Sequence, residues 1–177
     1  KQLLLFAVFV PIIGSFLLPL FGRLSKRLRN FCAFCFSACP LALSLLMLAP
    51  VLKGQDFIFS KSLPLGFNFV LHADGLAVFM AIASSLVSAI VVLYSFGYIS
   101  HYKHQDEYYF MVVLFLGSML GLIFSANLIF LYLFWEMTAV VSWRLIGFFR
   151  ERKHVLKAEK AFLVTAFGAL AMLLGFI

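Results

Sequence analysis

Glu136 is the residue whose setting most clearly suggests chemistry. No acidic or basic residue lies between Tyr108 and Glu136, and none follows until Arg144. Placing a charge at the centre of an apolar membrane helix costs about 2.5 to 3.5 kcal/mol, and side chains so placed usually face protein or water and serve transport. Glu is too short to reach an interface from that depth. A carboxylate there must be matched by a cation or neutralised by a proton, so its charge follows the distance of its partner. That is the behaviour a proton carrier needs. The alternative is a permanently protonated glutamate that only hydrogen-bonds between helices.

Other chemistry-bearing residues are weaker candidates. Arg144 lies about 80° around the helix from Glu136 and two turns away, so it cannot pair with it within one helix, whereas Val140, Trp143 and Gly147 share the Glu136 face. Lys157 and Lys160 are three apart on one face of the last apolar segment. Lys157 can extend to the interface; Lys160, about a turn deeper, suits either a buried proton route or the same snorkelling. Glu159 points away from that face, toward headgroups or Arg152 and Lys153. Asp74 before Gly75 reads as a helix cap, with direct ion contact as the alternative. His104 lies in the loop cluster His101, Tyr102, Lys103, His104, Asp106 and Glu107, where it could take up protons near neutral pH or simply be solvated. Cys32, Cys35 and Cys39 have no fourth cysteine and read as small packed side chains. With no ligand set and no glycine-rich nucleotide fingerprint, no metal and no cofactor are expected.

The elements that position these residues follow from composition. The chain is 64% hydrophobic and 12% charged, far from a soluble domain. A span needs about 20 apolar residues to cross a core about 30 Å thick. Runs of that length predict helices over 3–21, 31–52, 75–97, 108–124, 128–149 and 158–177. Tyr108 to Phe149 read as one helix would reach about 63 Å, twice the core, so the chain must turn, and Ser125-Ala126-Asn127 supplies the signal. Between the second and third spans, Phe57-Ile58-Phe59 and Phe67-Asn68-Phe69-Val70 flank Leu63-Pro64-Leu65-Gly66 and suit a small hairpin. The expected fold is all-α: a polytopic transmembrane helical bundle with six helices.

Charge then orients the bundle. Arg23, Lys26, Arg27, Arg29, Lys103, Arg150, Arg152 and Lys153 gather on one side of six alternating spans, against Lys1, Lys53 and Lys61 on the other. By the positive-inside tendency the loops after spans one, three and five are cytoplasmic, and both ends are on the outer side of the cell (plasma) membrane. The net charge of +7 reflects this orientation and anionic headgroups rather than nucleic acid. Lys1 before an apolar run is not read as a signal peptide, because the run is too long and basic residues occupy the cleavage position. The absent initiating Met and the apolar finish suggest a fragment.

Taken in order, Asp74-Gly75-Leu76, Tyr94-Ser95-Phe96-Gly97-Tyr98, Phe134-Trp135-Glu136-Met137-Thr138 and Leu145-Ile146-Gly147-Phe148 resemble the antiporter-like subunits shared by Mrp cation/proton antiporters, membrane-bound hydrogenases and respiratory complex I. The resemblance is specific from about residue 65; the first 64 residues agree only in hydropathy and in the short loop after the second span. It implies a fourteen-helix subunit with two inverted repeats, of which this chain would be the N-terminal third: 1–107 with helices one to three and the outer hairpin, 108–177 opening the first repeat. It implies that Glu136 matches the essential glutamate of the fifth helix, whose lysine partner on a seventh helix lies beyond this chain, and that Lys160 matches a lysine at the start of the sixth. The implied function is proton translocation within a multisubunit complex in the bilayer, with other membrane subunits as partners and H⁺, with Na⁺ as a further candidate, as the ion. Phe149-Arg150-Glu151-Arg152-Lys153 and 165–173 look closest to the large first Mrp subunit; Ala166 and Ala169 stand where the distal complex I subunit typically has Arg and Asp. The competing reading is a structural or quinone-contacting subunit of a redox enzyme without transport of its own. Trp143-Arg144 is unusual for the family.

Overall fold

The computed structural model describes residues 2–63 and 68–176. Residues 64–66 of the expected turn, Phe67 of the expected second strand, Lys1 and Ile177 lie outside the described residues. Among the described residues six helices are long and apolar enough to cross a membrane: α1 (Gln2–Leu24), α2 (Lys26–Leu52), α3 (Gly75–Tyr98), α4 (Gln105–Phe124), α5 (Leu128–Ile146) and α6 (Arg152–Gly175). Strands β1 (Phe57–Ser62) and β2 (Asn68–Ala73) pair antiparallel between α2 and α3. Thus α2 begins five residues and α6 six residues before the apolar run. Run length measures hydrocarbon thickness, whereas backbone hydrogen bonding carries a helix on through the headgroup layer. Conversely, α5 stops at Ile146, because Gly147 closes it by donating to Trp143 O at 3.1 Å.

Local chemistry sets the other ends. Asp74 caps α3 by accepting from Ala77 N at 2.8 Å, as its position suggested. Asn127 caps α5 by accepting from Ile129 N at 2.9 Å, and its amide donates to Asn68 O at 3.1 Å. Since Ala126 N also donates to Val70 O at 3.0 Å, the α4–α5 turn is sewn to the outer edge of β2. Phe69 of β2 is buried beneath it, with ring centroids 6.1 Å from Phe9 and 4.8 Å from Phe130. The hairpin therefore ties α1 to α5 at one end of the bundle.

Packing is organised around α4, the helix with most buried residues. Its glycines permit the close approaches: a Cβ at Gly117 would strike the backbone of Ile12, 2.9 Å away at N, and one at Gly121 would enter the Phe134 ring. Leu4, Val8, Met47, Val78, Leu116, Leu120 and Phe124 fill the space between. Phe16, Phe79, Val87 and Phe167 stand exposed, an arrangement suited to lipid tails. Farthest from the core is α6, which packs chiefly on α5.

At the end opposite the hairpin, Arg29 is buried and its Nη1 donates to Asp106 Oδ1 at 2.6 Å. Its other donors reach Gln105 Oε1 at 2.8 Å and Asn30 Oδ1 at 2.9 Å, and the guanidinium lies 4.9 Å over the Tyr109 ring. Gly22 leaves room for the Asp106 carboxyl. The Arg29 side chain is 4% exposed and that of Asp106 is 45% exposed, so the two partners are not equivalent. Asp106→Ala strands a buried cation and should cost about 3 kcal/mol; Arg29→Leu leaves a carboxylate that can turn to water and should cost clearly less. Thermal unfolding of the purified protein in detergent checks this, and equal losses would contradict the asymmetry.

Candidate functional site

Glu136 is half-buried, midway along α5. Side chains on a helix lean toward its N-terminus, which carries this carboxyl toward the hairpin end. One turn that way, the Tyr132 phenol lies beside it. The α5–α6 register follows from two contacts: the Trp143 and Phe162 rings are 5.8 Å apart, and a Cβ at Gly147 would sit 3.4 Å from Ala158 Cβ. Two turns on from Trp143 along antiparallel helices, Glu136 lies opposite Ala169, itself 2% exposed. Nearby Thr165 donates to its own helix at Ala161 O, 2.9 Å away. No cation from the described part of α6 therefore faces the carboxyl.

By the same register Lys160 lies level with Leu145, about 13 Å along the axis from Glu136. Lys157 and Lys160 are both exposed, on the side of α6 turned from Ala158. The chain does not bring Lys160 and Glu136 together. Glu159, expected among headgroups or near Arg152 and Lys153, is exposed and lines a 340 Å³ groove with Val140, Trp143, Phe162 and Leu163. Lys153 and His154 turn to Glu151 at 3.1 and 3.6 Å.

Arg144 acquires an account that the sequence alone did not supply. It donates through Nε to Glu107 Oε1, and Arg150 Nη2 donates to Glu107 Oε2 at 2.7 Å. Both arginines thus join the end of α5 to the start of α4. Arg150 adopts a left-handed φ of 55°, held where its fork meets the carboxylate. His104 precedes α4, also left-handed at φ 63° and exposed; Asp74 is a cap. The three cysteines are free, and among the described residues no group of His, Cys, Asp and Glu could hold a metal.

Comparison with known proteins matches this arrangement. Residues 125–177 match the family model for the transmembrane region of NADH:quinone oxidoreductase and Mrp antiporters. Residues 59–109 match the N-terminal model of NADH-ubiquinone oxidoreductase (complex I) chain 5. The Na⁺/H⁺ antiporter subunit A1 of Staphylococcus haemolyticus is 36% identical over 99% of this chain and 22% of its own length. The chain belongs to the antiporter-like subunit family. Subunit A1 of Staphylococcus aureus is 35% identical over the same shares. The Mrp complex from Dietzia sp. DQ12-45-1b contains a chain that superposes with a TM-score of 0.81 at 28% identity, over 96% of this chain and 18% of that one. In the archaeal membrane-bound sulfane sulfur reductase, a chain at 19% identity shares the fold, with a TM-score of 0.88 over 99% of this chain and 36% of that one.

The antiporter-like chain thus spans about a fifth of the length of the curated relatives it matches. Similarity extends over its first 64 residues as well, beyond the hydropathy and loop that sequence reading found there. Sequence reasoning treated Arg29 only as an orienting charge, placed Asp106 and Glu107 in a loop, and passed over Tyr132. The last was findable, since a phenol four residues before Glu136 shares its face.

Glu107 is expected to hold the α5–α6 connection. Glu107→Ala frees both arginines, and amide hydrogen exchange over 144–152 should accelerate about tenfold, the equivalent of about 1.4 kcal/mol. Arg144→Lys loses the planar fork and should give a smaller acceleration. Unchanged exchange in Glu107→Ala would mean that packing alone holds the segment.

Proposed function

We propose that this chain is the N-terminal part of a proton-translocating subunit of an Mrp-type cation/proton antiporter complex. The observation that carries the reading is a carboxyl at mid-membrane with no cation within reach among the described residues. Of the cations on α5 and α6, Arg144 is engaged by Glu107, and Lys160 is about 13 Å away along the axis. A carboxylate so placed is stable only when a partner approaches or a proton binds. Coupling follows: a cation on another helix moves in and Glu136 releases its proton; the cation withdraws and Glu136 takes one up. The staphylococcal relatives, named as Na⁺/H⁺ antiporter subunits, support proton exchange for Na⁺ as the driving or driven step.

In this reading residues 1–107 form a supporting three-helix unit with its hairpin, and 108–177 begin the ion-handling repeat. The arginine end faces the cytoplasm and the hairpin end the outside of the plasma membrane, as the excess of Lys and Arg favours. Lys160 serves as a cytoplasmic-side relay that communicates with Glu136 through groups between them. Other membrane subunits complete the assembly. A redox-driven complex is the second assignment, favoured by the complex I description of the match over 59–109.

Glu136→Gln keeps shape and hydrogen bonding but cannot titrate. Proton flux in vesicles reconstituted with the whole complex should fall to background while assembly is retained, and Glu136→Asp should keep part of the flux. Wild-type flux in the Gln variant would make Glu136 structural. Lys160→Ala should lower flux severalfold; unchanged transport would reduce Lys160 to a headgroup contact.

A further inference from the structure

A groove of 680 Å³ runs between α3 and α4, its walls including Val87 and Val91 of α3, Phe115 and Met119 of α4, and Phe148 and Phe149 after α5. Along α3 it extends from Ala83 to Tyr98, about 22 Å of helix. Half of a hydrocarbon core is about 15 Å, so the groove covers the acyl depth of one leaflet. Its volume over that length gives a mean cross-section of about 30 Å². A helix with its side chains, about 10 Å across, needs about 80 Å². The groove is too narrow to seat a helix, whereas an extended alkyl chain, whose carbons meet their neighbours at about 4 Å, fits within it. Val87 and Val91 are exposed, so such a chain can enter sideways from the bilayer.

The mouth of the groove carries aromatic rings and cations. Tyr94, Tyr98 and Tyr102 follow one another with ring centroids 6.0 and 5.5 Å apart, and the Tyr102 ring lies 5.2 Å from that of Phe149. Tyrosines at the end of a span sit at headgroup level. Lys103 follows Tyr102 and Arg150 follows Phe149, so both cations stand beside this rim. Lys103 is exposed and meets no carboxylate among the described residues. Arg150 gives one nitrogen to Glu107 and is otherwise exposed. The acidic groups here are already engaged, Glu107 by Arg144 and Arg150 and Glu151 by Lys153 and His154. An apolar slot of leaflet depth below uncompensated positive charge matches a ligand with an acyl chain and an anionic headgroup.

We propose that the α3–α4 groove is a binding site for an anionic phospholipid of the leaflet at the arginine end, with one acyl chain along Val87, Val91 and Phe115 and the phosphate between Lys103 and Arg150. A zwitterionic lipid offers the same chain, but its own ammonium offsets the phosphate. Each cation beside an anionic headgroup changes occupancy about fivefold. The chain also packs against Phe148 and Phe149, so the lipid steadies the connection from α5 to α6 from the side opposite Glu107.

The test uses the full-length subunit in its complex, in phosphatidylcholine vesicles containing a minor fraction of phosphatidylglycerol that carries a diazirine midway along one acyl chain. After illumination, mass spectrometry should place adducts on α3 near Val91 and on α4 near Phe115. Unlabelled phosphatidylglycerol should displace the probe, while the same amount of phosphatidylcholine or of inorganic phosphate should not. Lys103→Gln should lower the labelling about fivefold. Val91→Trp, which fills the slot and leaves the cations in place, should abolish it. Adducts absent from the groove, labelling unchanged in Lys103→Gln, or equal displacement by phosphatidylcholine overturns the proposal. Displacement by inorganic phosphate overturns it too, since that would mean an anion site without a lipid chain.

Discussion

Two adjacent carboxylates in the first turn of α4 hold the arginine end of this bundle together. Neighbouring residues on a helix point about 100° apart, so Asp106 and Glu107 cannot serve the same partner. Asp106 takes Arg29 from α2, and Glu107 takes Arg144 from α5 with Arg150 from the connection that follows. The bilayer offers no water to replace these partners a turn deeper. Acidic residues at a helix N-terminus are favoured in their own right, so one turn satisfies the helix dipole and two neighbouring helices together.

The far end of α4 is held by different chemistry. Backbone and amide hydrogen bonds from Ala126 and Asn127 join its turn to β2, and Phe69 fills the space below with Phe9 and Phe130. Between these fastenings the glycines of α4 let α1 and α5 approach closely. The consequence for function lies in α5. Fixed at its start by the hairpin and at its finish by Glu107, that helix has little freedom to rotate, so the face bearing Tyr132, Glu136, Val140 and Trp143 is a fixed frame. Among the described residues α6 is the helix that packs on that face.

Within that frame Glu136 is half-buried, and in the proposed function it is one half of a switch. Among the described residues no cation is paired with its carboxyl, and the Tyr132 phenol lies beside it. The absence of Lys160 from its neighbourhood is informative in the same way, since a lysine about 13 Å off along the axis acts through intermediates or not at all.

Helix number, the turn at 125–127, the hairpin and the Asp74 cap were legible in the sequence because each depends on local quantities: run length against membrane thickness, or a short polar residue at a helix start. The place of Glu136 midway along a span was legible for the same reason, as a charge whose cost needs no partner to be recognised. Family membership was legible from motifs in order. The roles of Arg29, Asp106, Glu107 and Arg144 were decided only by tertiary structure. Arg29 and Asp106 are 77 positions apart and Glu107 and Arg144 are 37 apart, and hydropathy carries no information about which of several charges at one membrane face will meet. The same holds for the α5–α6 register, which sets Ala169 opposite Glu136 and leaves Lys160 far from it. Apolar helix faces in lipid fit one another in many alignments, and only close contacts such as Gly147 on Ala158 and Trp143 on Phe162 select one.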